Sequence, residues 1–209
     1  MIRNNREYRN LGTFDIKADD DTEERNYHVQ GYASTFGEYK LFEDDGVEFF
    51  ERIAPEAFTD TDMTDVVFLR DHEGRVLART KNGTINLTVD NRGLFTDTDL
   101  GLTEAGRDMY EDVQVGNYSQ MSFAFTVGAD HFEESARKVV RVIDKVTKIF
   151  DVSAVAFPAN PSTDIGVAYR SVFDGVIEKR TAERLKNEHA RKVLALKLKL
   201  NREIYKHGN

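Results

Sequence analysis

Alternation of apolar and polar side chains dominates the first three quarters of the chain. It is clearest over residues 119–127, where Met121, Phe123, Phe125 and Val127 share one face and Ser122, Ala124 and Thr126 the other, the two-residue period of a half-buried strand. Strands are also predicted over 7–17 and 26–36, around the acidic turn Asp19-Asp20-Asp21-Thr22-Glu23-Glu24, whose charges suit an exposed loop. Phe49-Phe50 ends a strand, and Pro55 stands near the start of a short helix. Asp65 leads into the apolar strand Val66-Val67-Phe68-Leu69, and residues 84–89 and 94–100 alternate as a hairpin about Asp90-Asn91-Arg92-Gly93. The spacing turns helical over 103–115, with Thr103 and Glu104 marking the start and Gly116 the stop. Strands resume over 139–143 and 148–157 and end at Pro158-Ala159-Asn160-Pro161.

After Asp174 the texture changes. Residues 175–205 are rich in Ala, Leu, Lys, Glu and Arg, and Leu185, Val193, Leu196, Leu200 and Ile204 fall near one helical face. Leu194, Leu196, Leu198 and Leu200 also alternate as in a strand, but the composition favours a helix. The expected division is therefore a body, 1–174, and a helical tail, 175–209.

Charge sharpens that division. The chain of 209 residues has a formal net charge of −8; the tail holds ten Lys or Arg and four Glu, so it is +6 and the body −14. A body this acidic should repel nucleic acid, whereas the tail could bind it or an acidic protein surface, or simply present a solvated basic face. There is no Cys, which excludes disulfides, thiolate metal sites and a cysteine nucleophile and suits a reducing cytoplasm. The start, Met1-Ile-Arg-Asn-Asn-Arg-Glu, lacks the apolar stretch of a secretory signal, and no apolar run reaches the length of a membrane span. A soluble cytosolic protein without membrane partners is expected.

Hydrolytic chemistry must then come from Ser or Thr nucleophiles, paired carboxylates, or His/Asp/Glu metal sites. The histidines at 28, 72, 131, 189 and 207 form no His-Glu-x-x-His pair, and no phosphate loop or Gly-x-Ser-x-Gly elbow is present. No metal and no cofactor is expected. Three residues stand out. His72 follows the strand 66–69, at a sheet rim where an imidazole can act as a base near neutrality. Ser122 shares its strand face with small Ala124, which leaves room for a substrate or an imidazole. Asp151 lies amid apolar residues, where burial demands a partner. Each has an ordinary reading too: a solvated histidine, an unremarkable strand serine, an acid capped by a hydroxyl or amide. Together they could form a hydroxyl, its base and the base's orienting acid, though spacing alone does not bring them together.

Five segments, in order, resemble the prohead proteases of tailed phages: Gly31-Tyr32-Ala33-Ser34-Thr35-Phe36, Glu51-Arg52-Ile53-Ala54-Pro55-Glu56-Ala57-Phe58, Leu69-Arg70-Asp71-His72, Met121-Ser122-Phe123-Ala124-Phe125, and residues 150–161 ending in Pro158-Ala159-Asn160-Pro161. Glu56 stands where the family usually has Gly, Arg70-Asp71 departs from the commoner Asn before the histidine, and Asp151 replaces the usual Glu. The resemblance spans roughly 28–165. It implies a capsid maturation protease related to herpesvirus assemblins, with Ser122 as nucleophile, His72 as base and Asp151 as orienting acid. Ser119 or Ser153 would be the next nucleophiles to test, and His131 the rival base. It also implies a mainly β (α+β) fold, a closed or nearly closed antiparallel β-barrel of about seven strands with flanking helices, since closure removes exposed strand edges. The implied partner is a capsid-precursor or scaffold protein, cut inside the assembling procapsid in the host cytoplasm; self-cleavage and homo-oligomers are open. Two rivals remain: an inactive capsid-assembly or scaffold protein that keeps the barrel, and an unrelated β-barrel binding module.

Overall fold

The computed structural model of the chain describes residues 6–15, 17–18, 27–156 and 170–207. The acidic turn 19–24 and the Phe157–Pro161 strand end lie outside the described residues. Two compact units are present, residues 1–168 and 169–209.

The first unit is built on one long hairpin. Strand β10, Gln120–Glu134, runs antiparallel to β11, Lys138–Val155. Residues 119–127 were expected as a strand, and the strand continues past them: Gly128 to Glu134 is polar and mostly exposed, so apolar alternation does not mark it. Strand β11 gathers the rest of the sheet. Its first half pairs in parallel with β5, Val47–Ile53, and its second half with β6, Val67–Arg70. Strand β4, Tyr39–Asp44, extends the sheet beyond β5, β7, Glu73–Arg79, pairs with β6, and β1, Glu7–Asp15, pairs with β10 at the other edge. A second, four-stranded antiparallel sheet has the order β2-β3-β9-β8, with β2 at Lys17–Ala18, β3 at His28–Thr35, β8 at Ile85–Val89 and β9 at Gly93–Asp99. The expected hairpin of 84–100 is the β8–β9 pair.

The expected barrel is not there. The chain forms an α+β structure with two open sheets, seven-stranded and four-stranded. The alternation pattern identifies strands and their inward faces but not their pairing. Here β11 is long enough to take two different parallel partners end to end, so the sheet branches and does not close. Edges are managed locally instead. Edge strand β4 carries Lys40, ion-paired to Glu43 and Glu48, and the edge strand β2 has only two residues; charged and short edges both discourage foreign pairing.

A single apolar core joins the sheets, with Val29 and Leu94 from one, Phe68, Phe123, Phe125 and Val152 from the other, and Met109 and Val113 from helix α1, Glu104–Gln114. The helix starts as expected: the Thr103 side chain accepts from the Gly106 amide at 3.1 Å. Gly106 itself is required, because a Cβ there would lie 2.1 Å from the Leu100 carbonyl oxygen. Gly116, at φ +85°, ends the segment in a left-handed conformation.

In the second unit, helix α2 spans Asp174–His207, about 50 Å at 1.5 Å per residue. Helical propensity thus prevails over the leucine alternation. Leu185, Leu194, Leu196, Leu198 and Leu200 are all more than half exposed. No described helix is long and apolar enough to cross a membrane.

Candidate functional site

Three neighbouring strands bring Ser122, His72 and Asp151 together. In the β10–β11 register Ser122 faces Ser153 and Ala124 faces Asp151, so Ser122 and Asp151 share a sheet face, opposite the one Phe123 and Val152 give to the core. Strand β6 lies on the far side of β11, with Val67 opposite Asp151 and Arg70 opposite Ala154. The chain then reverses in two residues, Asp71 and His72, between the paired Arg70 and Glu73. Both central residues have positive φ, 49° and 61°, as the twist of a two-residue hairpin demands. Such a conformation costs a non-glycine residue about 1 kcal/mol or more, and Asp and His are among the side chains that tolerate it best. The turn is also tied down: the Asp71 amide donates to the Ala154 carbonyl at 3.0 Å, and the Tyr118 hydroxyl donates to Asp71 Oδ2 at 3.0 Å.

The geometry is that of a relay. His72 Nδ1 lies 2.6 Å from Asp151 Oδ1, and Nε2 lies 2.6 Å from Ser122 Oγ. Ser153 donates its hydroxyl to Asp151 Oδ1 at 2.8 Å and also lies 3.2 Å from His72 Nδ1. The Asp151 side chain is 6 % exposed and that of His72 17 %, so the carboxylate is shielded and its hydrogen bonds are fixed. A buried carboxylate facing Nδ1 selects the tautomer with the proton there and leaves Nε2 toward the serine. Ser122, 2 % exposed, has one further partner: its hydroxyl donates to the Arg9 carbonyl at 2.8 Å. The edge of the Tyr8 ring meets the His72 ring, with centroids 4.8 Å apart and planes at 77°.

Beside this relay, β1 enters a second charged cluster that sequence reasoning missed. Arg9 bonds both oxygens of Glu51 and reaches Glu7, while Arg141 bonds Glu7 at 2.7 and 3.0 Å and Glu51 at 3.0 Å. Tyr39 donates to Glu51 at 2.6 Å. All four charged residues are buried. Burial alone pushes the Glu7 carboxyl up, but the hydrogen bonds and charges of Arg141 and Arg9 outweigh it and bring Glu7 down to about 2. Glu51 is also lowered, burial again opposed by the Arg9 and Arg141 charges. The cluster carries no periodicity signal, because it is assembled from three strands far apart in sequence, β1 with Glu7 and Arg9, β5 with Glu51 and β11 with Arg141.

The rival candidates lie elsewhere or differ in role. His131 bonds Asp144 at 2.6 Å on the exposed part of the hairpin, Ser119 is exposed, and Ser153 supports Asp151. Among the described residues, no group of three or more His, Cys, Asp or Glu could hold a metal.

A hydroxyl, an imidazole and a shielded carboxylate here stand in the hydrogen-bonding order that nucleophile, base and orienting acid take in serine hydrolases. The chain belongs to the caudovirus prohead serine protease family, whose model matches residues 12–176. It is thereby a serine peptidase of phage head assembly. No curated protein and no solved structure matches the chain.

Proposed function

We propose that the protein is an endopeptidase that cuts scaffold or capsid-precursor protein during head maturation, with Ser122 as nucleophile, His72 as general base and then acid, and Asp151 as the orienting group. The observation that carries this reading is the unbroken series Asp151 Oδ1–His72 Nδ1 and His72 Nε2–Ser122 Oγ, 2.6 Å at each link. In acylation the Ser122 oxygen bonds to the scissile carbonyl carbon and its proton passes to Nε2. Breaking the C–N bond sends that proton to the leaving amine. Water then repeats the sequence and regenerates the serine. Asp151 stabilises the imidazolium formed in both halves. Ser122→Ala is expected to lower cleavage of a capsid or scaffold precursor by about 10⁴-fold or more with the fold intact; cleavage at the unmodified rate sinks the assignment.

The burial of Ser122 favours a second reading, an inactive assembly protein that keeps the fold. The same variant separates them, since an inactive chain has no cleavage to lose.

The division at Asp174 is also proposed: a protease body, 1–174, and an assembly arm, 175–209, that binds an acidic protein surface or nucleic acid through its +6 charge while the acidic body binds none. The exposed leucines of α2 suit packing on a partner, since an isolated helix is marginal in water. A chain ending near Asp174 should still cleave a soluble precursor yet fail to enter procapsids in the host cell; a misfolded or inert product refutes the boundary.

A further inference from the structure

We propose that residues 7–10 of β1 act as a built-in pseudo-substrate: they occupy the edge of β10 where an extended segment of substrate has to pair, and they hold the Ser122 hydroxyl until such a segment displaces them. This rests on the assignment of Ser122 as nucleophile.

Strand β1 is the outermost strand of its sheet, and Glu7 to Asn10 pair with Phe125 to Ser122. With those residues withdrawn, the backbone groups of β10 on that side lose their partners, directly beside the nucleophile. Such an edge is a template for an incoming strand, and addition of a strand is a general way to bind an extended peptide. Residues 7–10 lie outside the stretch matched to the family, which begins at residue 12.

The contacts of β1 are those that suppress reaction. A carbonyl sits at the nucleophile, as a substrate's would, but the Arg9 oxygen accepts the serine proton at 2.8 Å while Nε2 lies 2.6 Å from the same Oγ. One proton cannot serve both acceptors fully. While it points to Arg9 it is not directed at Nε2, so the base is denied the proton it has to take. Tyr8 lies against the His72 ring, and Ser122 is 2 % exposed, so the nucleophile is shielded from solvent while β1 is in place. The strand stays because Glu7 and Arg9 are anchored to Arg141 and Glu51. An entering segment has to break that anchorage, so the enzyme rests closed and opens to a strand that competes for the edge.

A reversible lock tests this. The chain has no cysteine, and Tyr8 and Ala124 are cross-strand partners, within the Cα separation a disulfide spans. In the Tyr8→Cys, Ala124→Cys chain the oxidised form should react with a fluorophosphonate at Ser122, followed by peptide mass, at least about thirtyfold more slowly than the same protein reduced. Equal rates in the two forms overturn the pseudo-substrate while leaving Ser122 a nucleophile. As a second variant, Arg9→Ala weakens the anchorage and should label at least about tenfold faster than the unmodified chain; an unchanged or slower rate, in a variant still folded by circular dichroism, also overturns it. If Ser122 stays unlabelled in both the reduced double variant and Arg9→Ala, the nucleophile assignment itself fails.

Discussion

Two acid-bearing clusters flank the first strand, and they are built from different cations. On one side, Asp151 faces His72, whose ring sits in a turn with one nitrogen on the acid and the other on a hydroxyl. On the other, Glu7 and Glu51 face Arg9 and Arg141, each guanidinium bonding both carboxylates. Both clusters are largely withdrawn from water, yet only the first holds a ring with two nitrogens, one able to donate while the other accepts, whereas a guanidinium only donates and is not deprotonated in proteins. Under the proposed mechanism the same enclosed environment serves to move a proton in one place and to fix a strand in the other. Strand β1 joins them: its Arg9 side chain belongs to the fixed cluster, and its Arg9 carbonyl touches the serine of the mobile one.

The comparison breaks first at Asp151. Asp151→Asn keeps the size and much of the hydrogen bonding but no longer selects the Nδ1–H tautomer or stabilises the imidazolium. Under the proposed mechanism the cleavage rate should fall by about 10⁴-fold near neutrality, the scale known for such a change in a serine-protease triad, with circular dichroism unchanged. A loss of only a few-fold would mean that His72 does not depend on the acid, and the two clusters would then not differ in kind.

Acid sharpens the other side. The Glu7 carboxyl goes from 4.5 to about 2 on folding, a depressed value. Its contribution to stability is therefore complete above about 4.5 and is lost as the pH falls toward 2. The difference corresponds to about 3 kcal/mol. Urea midpoints measured from pH 6 down to 2.5 should fall more steeply for the unmodified protein than for Glu7→Gln, which lacks the titrating group. Parallel curves would show that the guanidinium pair does not hold Glu7 ionised.

The relay was legible in the chain to an unequal degree. Ser122 and Asp151 could be singled out because alternation set their strand face and because an acid amid apolar neighbours must have a partner. His72 was singled out by its place at the end of a strand, but a histidine beside Arg70, Asp71 and Glu73 equally looks like surface, and only the family resemblance joined the three. The fold was legible as strands, with α1 and its cap, but not as topology: parallel pairing of β11 with both β5 and β6 depends on contacts far apart in sequence, and the expected barrel came from the family resemblance together with a general need to remove edges, which this chain meets with charge and short strands. The cluster of Glu7, Arg9, Glu51 and Arg141 was invisible, because charged residues in a strand pattern are read as solvent-facing. Here they face inward and neutralise one another.

The smallest effect concerns the turn that carries His72. Asp71 and His72 both hold left-handed backbone conformations, so the ring's position depends on what restrains the turn. The Asp71 carboxylate accepts from Tyr118 at 3.0 Å on one oxygen, and the Ala156 amide approaches the other at 3.4 Å. The Tyr118 hydroxyl is raised above its ordinary pKa, by burial first and then by the bond to Asp71, so it remains a donor throughout the neutral range. Tyr118→Phe removes that donor and should cost about 1 kcal/mol. If the bond positions the imidazole, part of that loss appears in kcat, a fall of a few-fold with KM unchanged, because Tyr118 reaches the serine only through His72. Asp71→Asn, which keeps an acceptor for Tyr118, should retain most of the activity that Asp71→Ala loses. A fall in thermal stability with kcat untouched in Tyr118→Phe would assign the bond to the turn alone, and the imidazole would then be held by Asp151 without help.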